Sequence, residues 1–125
     1  MSSEAVTFPY MLLFRGTDWD KGLSPEEIQN QMNRWTVWFD GLTKQGKATL
    51  GQPLLNDVRI VSGKNRQKVL DGPFKESKEA IAGYIFLRVA DLDEATTIAK
   101  QCPGLDNEMI VEIRPINEGI GRGPA

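Results

Sequence analysis

Two groups of residues in this 125-residue chain have types and spacing that could do chemistry, and the lack of histidine limits what that chemistry can be. The first group is headed by Asp71 in the stretch "DGPFKESKEAIAGY". A carboxylate held on a stiff Gly-Pro turn at the edge of a cleft can give or take a proton. The same residues also make an ordinary turn: Asp71 ends a strand, Gly72 supplies the turn conformation, Pro73 stiffens it and Phe74 fills the core. Turn formation alone accounts for these residue types and is the reading they favour. "KESKE", Lys75 to Glu79, then reads as a solvated turn or short helix from which Ser77 or Lys78 can reach a ligand.

The second group is Arg15, Arg88, Glu112 and Arg114. Three guanidiniums and one carboxylate beside Tyr84 and Phe86 would suit a small organic acid, the arginines clamping its carboxylate and the rings giving apolar contact. The plainer reading is ion pairing between strands or subunits, since charges on a covered face need partners whatever else they do.

With no histidine, neither a Ser-His-Asp nor a Cys-His arrangement can be assembled, and no His-ligated metal site exists. Acid–base work falls to carboxylates, Lys, Tyr or Cys102. The single cysteine excludes an internal disulfide and a Cys-cluster zinc site, and its place before Pro103 on an apolar helix face makes it an inert buried thiol. No calcium-loop spacing occurs, and "GIGRG" follows the last strand with no helix after it, so it is not a phosphate loop. The expectation is a protein without metal or cofactor.

These side chains must be positioned by elements that the hydrophobic pattern outlines. "FPYMLLFRG" reads as a strand over residues 9–15, with Tyr10, Leu12 and Phe14 on one face and Met11, Leu13 and Arg15 on the other. "LSPEEIQNQMNRWTVWFDGLTKQGK" opens with Ser24 as N-cap, Pro25 in the first helical position and Glu27 to close a capping box. Ile28, Met32, Trp35, Phe39 and Leu42 fall on one helical face, with Trp38 at its border and a stop near Gly46. Trp19 lies in a loop from which it can cover a pocket.

An interrupted strand around Gly51 and Pro53 follows, then a hairpin of "VRIV" and "QKVL" about "SGKN". Residues 82–90 form the best strand, Ile85, Leu87 and Val89 opposing Tyr84, Phe86 and Arg88. Asp91 caps a second helix with Glu94 completing its box, Ala95, Ile98, Ala99 and Cys102 facing inward, and Pro103-Gly104 ending it. "EMIVEIRPI" is the last strand, and residues 117–125 read as a loose Gly-rich tail.

The order is that of a ferredoxin-like split βαβ domain: α+β, an antiparallel sheet with two helices on one face. Its other face would carry Met11, Leu13, Tyr84, Phe86 and Ile110 with the charged group, an apolar patch most simply covered by a second copy. The size suits one domain spanning residues 1–125. A net charge of −2 gives no field to attract nucleic acid or an anionic membrane. The longest apolar run falls far short of the roughly 20 residues of a membrane helix, and no signal peptide is evident. A cytoplasmic protein is expected.

"YMLLFRG", "LSPEE", "GQPL", "DGPFKESKE" with "GY", "ADLDEA", "CPG" and "EIRPI" follow one another along almost the whole chain. In these motifs the sequence resembles the YCII-related family, in the branch named for the DGPF motif. The resemblance implies a ferredoxin-like subunit that dimerises into an α/β barrel, with an active-site cleft between sheet and loops. Members of the wider family are proposed to use a His–Asp pair there; with no histidine only an aspartate remains, and Asp71 is the position carried over. Related dimeric barrels include cofactor-independent monooxygenases and lactone isomerases, an analogy of fold alone. The functional expectation is a homodimer that binds or transforms a small organic compound without metal. That compound would be an anion if the arginines bind it, and the alternative is a non-catalytic ligand-binding or regulatory accessory module.

Overall fold

Strand β1, Phe8–Arg15, sorts its side chains by parity: Tyr10, Leu12 and Phe14 are buried, whereas Met11, Leu13 and Arg15 are half-buried on the opposite face. The computed structural model describes residues 6–16, 18–72 and 80–118. After β1 come α1 (Pro25–Lys44), β2 (Ala48–Pro53), β3 (Arg59–Ser62), β4 (Lys68–Asp71), β5 (Ile81–Val89), α2 (Leu92–Ala99), a 3-10 turn (Pro103–Asn107) and β6 (Ile110–Pro115). Four strands form an antiparallel sheet in the order β2-β5-β1-β6, while β3 and β4 pair only with each other as a separate hairpin. This is the ferredoxin-like order, with the hairpin inserted where the second and third core strands would be joined.

Local chemistry explains both helix starts. At α1 the Ser24 hydroxyl accepts from the Glu27 N–H at 3.1 Å while the Glu27 carboxylate accepts from the Ser24 N–H at 2.9 Å, a complete capping box. At α2 the Asp91 carboxylate accepts from the Glu94 N–H, but Glu94 reaches one residue further back than expected, accepting from the Ala90 N–H at 2.9 Å and pairing with Lys47 at 3.0 Å. The α1 helix gives way at Gln45, and Gly46 takes a φ of +74°, the left-handed region that glycine enters without strain.

The core lies between the helices and one sheet face: Leu12, Leu87 and Val89 are almost wholly buried, and Ala95, Ile98, Ala99 and Cys102 of the α2 region pack onto them. Truncating Leu12 or Leu87 to alanine would cost about 2–5 kcal/mol. One expected core position is corrected: Met32 is 50% exposed, and Gln31, 6% exposed, takes its place in the inward stripe. Gln31 is tolerated there because its amide donates to the Pro103 carbonyl at 2.6 Å and its oxygen accepts from Arg34 at 2.9 Å, leaving no polar atom stranded. Among the described residues no helix is long and apolar enough to cross a membrane.

Candidate functional site

The displaced Met32 marks the lip of a pocket. Along α1, Met32, Trp35, Thr36, Phe39 and Asp40 recur at helical spacing and line one wall of a cavity of about 380 Å³. The facing wall comes from β2 at Gly51, Gln52 and Pro53 and from β5 at Ala82 and Gly83, near the end where β1 runs out at Phe14. Trp19, from the loop before α1, completes it.

The back of the pocket is an edge-to-face aromatic set, Phe14 to Trp35 at 4.9 Å and Trp35 to Trp38 at 5.6 Å between centroids, a stacking that holds the rings in place. Gly51 lets α1 come this close: a Cβ there would lie 2.8 Å from Ile85 Cγ1 and 3.0 Å from Phe39 Cε1. Asp40 closes the α1 stripe. Among the described residues of the lining it alone carries a formal charge, and no ion pair with another described residue engages it.

Of the predicted site residues, Tyr84 contributes to the pocket lining, and the other described ones lie elsewhere. Asp71 ends β4 opposite Arg59 in the register, and its Oδ1 accepts from Arg59 Nε at 2.6 Å. The two side chains are 69% and 72% exposed, and Asp71 does not line the pocket. Among the described residues its carboxylate is paired across the hairpin. The Gly72 N–H donates to the Val58 carbonyl at 2.6 Å, continuing the hairpin pairing by one residue. Pro73, Phe74, Ser77 and Lys78 lie outside the described residues, as does the tail from residue 119.

The charged group assembles in part on the helix-free face. Arg15 Nη2 lies 2.6 Å from Glu112 Oε1 and Arg114 Nη1 3.1 Å from Glu112 Oε2, a diagonal pairing set by Leu13 standing opposite Glu112 and Met11 opposite Arg114. Hydrogen bonds from Arg15 and then Arg114 hold the Glu112 carboxyl below its ordinary range. Arg88 does not join them: opposite Pro9 on the far side of β1, it pairs with Glu118 at 3.3 Å. Tyr84 and Phe86 meet edge to face at 5.5 Å, with Leu13 between Tyr84 and Glu112 in the register. Among the described residues no three His, Cys, Asp or Glu side chains are grouped to hold a metal.

Missing from the sequence reading were Asp40, Thr36 and Gln52. The signal for the first two was available in α1, where Asp40 and Thr36 each directly follow an aromatic residue of the apolar stripe, Phe39 and Trp35.

Fold and pocket together define a ferredoxin-like α+β protein with a ligand-sized hollow between its first helix and its sheet. The YCII-related domain family matches residues 10–118, and the chain belongs to that family. Among solved structures, it is similar to 5-chloro-2-hydroxyhydroquinone dehydrochlorinase (TftG) from Burkholderia phenoliruptrix AC1100, in complex with 2,5-dihydroxybenzoquinone. The two share 10% identity at a TM-score of 0.46, over 89% of this chain and 95% of that one. No curated protein matches the chain.

Proposed function

We propose that the chain is a homodimeric, cytoplasmic protein of the DGPF branch that binds a small ring-bearing organic compound in the pocket between α1 and the sheet, and acts on it without a metal. The observation that carries this reading is the pocket itself. Its volume of about 380 Å³ falls in the range of small-molecule sites, and walls of Trp19, Trp35 and Phe39 with a few polar groups are what such sites are made of. The arginine cluster is not the anchor in this reading, because Arg15 and Arg114 share Glu112 and none of the three lines the pocket.

Asp71, salt-bridged on an exposed hairpin, supports the second reading, a ligand-binding module without catalysis. Both readings need the pocket filled. The test is a thermal-shift screen of small aromatic compounds against the wild type and Thr36→Trp, which places a large ring at the mouth from an exposed helix position. Binding to the native state raises the melting temperature, so hits that vanish in a folded Thr36→Trp variant support the site. Hits that persist there place binding elsewhere and refute it. Product analysis of a confirmed ligand then separates enzyme from binder.

A further inference from the structure

Resting on that pocket reading, we infer that the site selects an aromatic compound bearing a hydrogen-bond donor, a protonated amine before a neutral hydroxyl, and discriminates against carboxylic acids, with Asp40 as the selecting group. The rest of the described lining is uncharged, mostly apolar and aromatic with Thr36 and Gln52, so one charge sets the sign of its potential. Among the described residues of the lining that charge is the Asp40 carboxylate. Lys44, one turn further on, does not close to salt-bridge distance, so Asp40 has no ion-pair partner among the described residues.

Two further features point the same way. Thr36 Oγ1 donates its proton to the Met32 carbonyl at 3.1 Å, which leaves the hydroxyl to a ligand only as an acceptor. Asp40 also lies just before the last turn of α1, whose C-terminal end carries the negative pole of the helix dipole. Acceptors at the edge, negative potential and the indole rings of Trp19 and Trp35 in the lining together suit a cation, which aromatic rings attract as well. Asp40 is exposed at the pocket edge, and a carboxylate in the same place would meet its like charge, whereas an ammonium would pair with it.

The experiment titrates benzylamine, benzyl alcohol and benzoate, three molecules of nearly one shape, into the full chain and follows tryptophan fluorescence and the indole N–H resonances. Benzylamine is expected to bind at least about 10-fold more tightly than benzoate, with the alcohol between, as charge-assisted hydrogen bonds outrank neutral ones. Asp40→Asn is expected to bring the amine down to the alcohol and leave the alcohol within about 2-fold. Benzoate binding as tightly as benzylamine, or an amine affinity unchanged in Asp40→Asn, overturns the inference while leaving the pocket reading intact. Thr36→Trp distinguishes the other failure: if none of the three binds the wild type, or if all bind a folded Thr36→Trp variant as before, the pocket reading falls and takes the inference with it.

Discussion

Asp71 and Asp40 show how far a side chain's setting departs from its sequence neighbourhood. Asp71 stands in a motif that looks made for a site, and the structure gives it a solvent-exposed pairing with Arg59, of a kind worth about 0–1 kcal/mol. Asp71→Asn is therefore expected to shift the denaturation midpoint little and to leave pocket binding unchanged; loss of ligand binding would return Asp71 to the site. Gly51 is the opposite case, a residue with no chemistry whose size matters. Gly51→Ala would press a methyl group against Ile85, Phe39 and the Tyr84 carbonyl, two of them within walls that cannot yield freely. A destabilisation of about 1–3 kcal/mol is expected in denaturant titration. Cys102 completes the residue scale. Burial pushes its thiol up to about 11, against smaller opposing effects of the Gly104 and Leu105 backbone. Because the thiolate is the nucleophile, alkylation by iodoacetamide is expected only on unfolding.

Elements were the most legible level, because their signals are local. The capping box at Ser24 and Glu27, the alternation of β1 and β5 and the "SGKN" turn each depend on residues a few positions apart, and each forms where its pattern lies. The phase of α1 was less legible. Ile28, Met32 and Trp35 define a stripe on paper, but whether Met32 faces core or cavity depends on what β2 and β5 leave beneath it. The pocket needs three separated segments and a glycine to let them approach, so it has no local signature. Arg88 failed to join Arg15 because parity fixes the face of a strand and not the distance along it.

The caps also carry a pH signature. Hydrogen bonds from the Ser24 backbone at Glu27, and from the Ala90 backbone and then Lys47 at Glu94, lower both carboxyls from their ordinary values. A lowered folded-state pKa means stability that is fully present above the unfolded carboxylate range and lost as pH falls through the lowered value. Melting temperature is accordingly expected to hold at neutral pH and decline once these caps protonate, and Glu27→Gln, which keeps an acceptor without the charge, should flatten that decline.

At the scale of the molecule, one side of the sheet is finished and the other is not. The helices cover Leu12, Ile85 and Leu87, while Met11, Leu13, Tyr84 and Phe86 stay half-buried under no element among the described residues, and Ile110 is 46% exposed beside them. The β3–β4 hairpin adds Ile60, Val61, Val69 and Leu70, all exposed, although a lone two-stranded hairpin is marginal in water. An apolar surface of this kind calls for a partner, and a second copy supplies a matching one by two-fold symmetry. In the Arg15–Glu112–Arg114 group both guanidiniums share one carboxylate, so each already has a partner before the faces meet. Leu13 stands near the middle of the face, flanked by Tyr84 on β5 and Glu112 on β6, so a carboxylate there would have to give up its hydration where the two faces meet. Leu13→Glu is expected to convert a dimer to a monomer in sedimentation velocity at micromolar concentration. Lys44→Glu, on the exposed end of α1, changes charge by a larger amount and should leave the dimer intact. A wild type that sediments as a monomer would refute the assembly outright, and a dimer indifferent to Leu13→Glu would move its interface off this face.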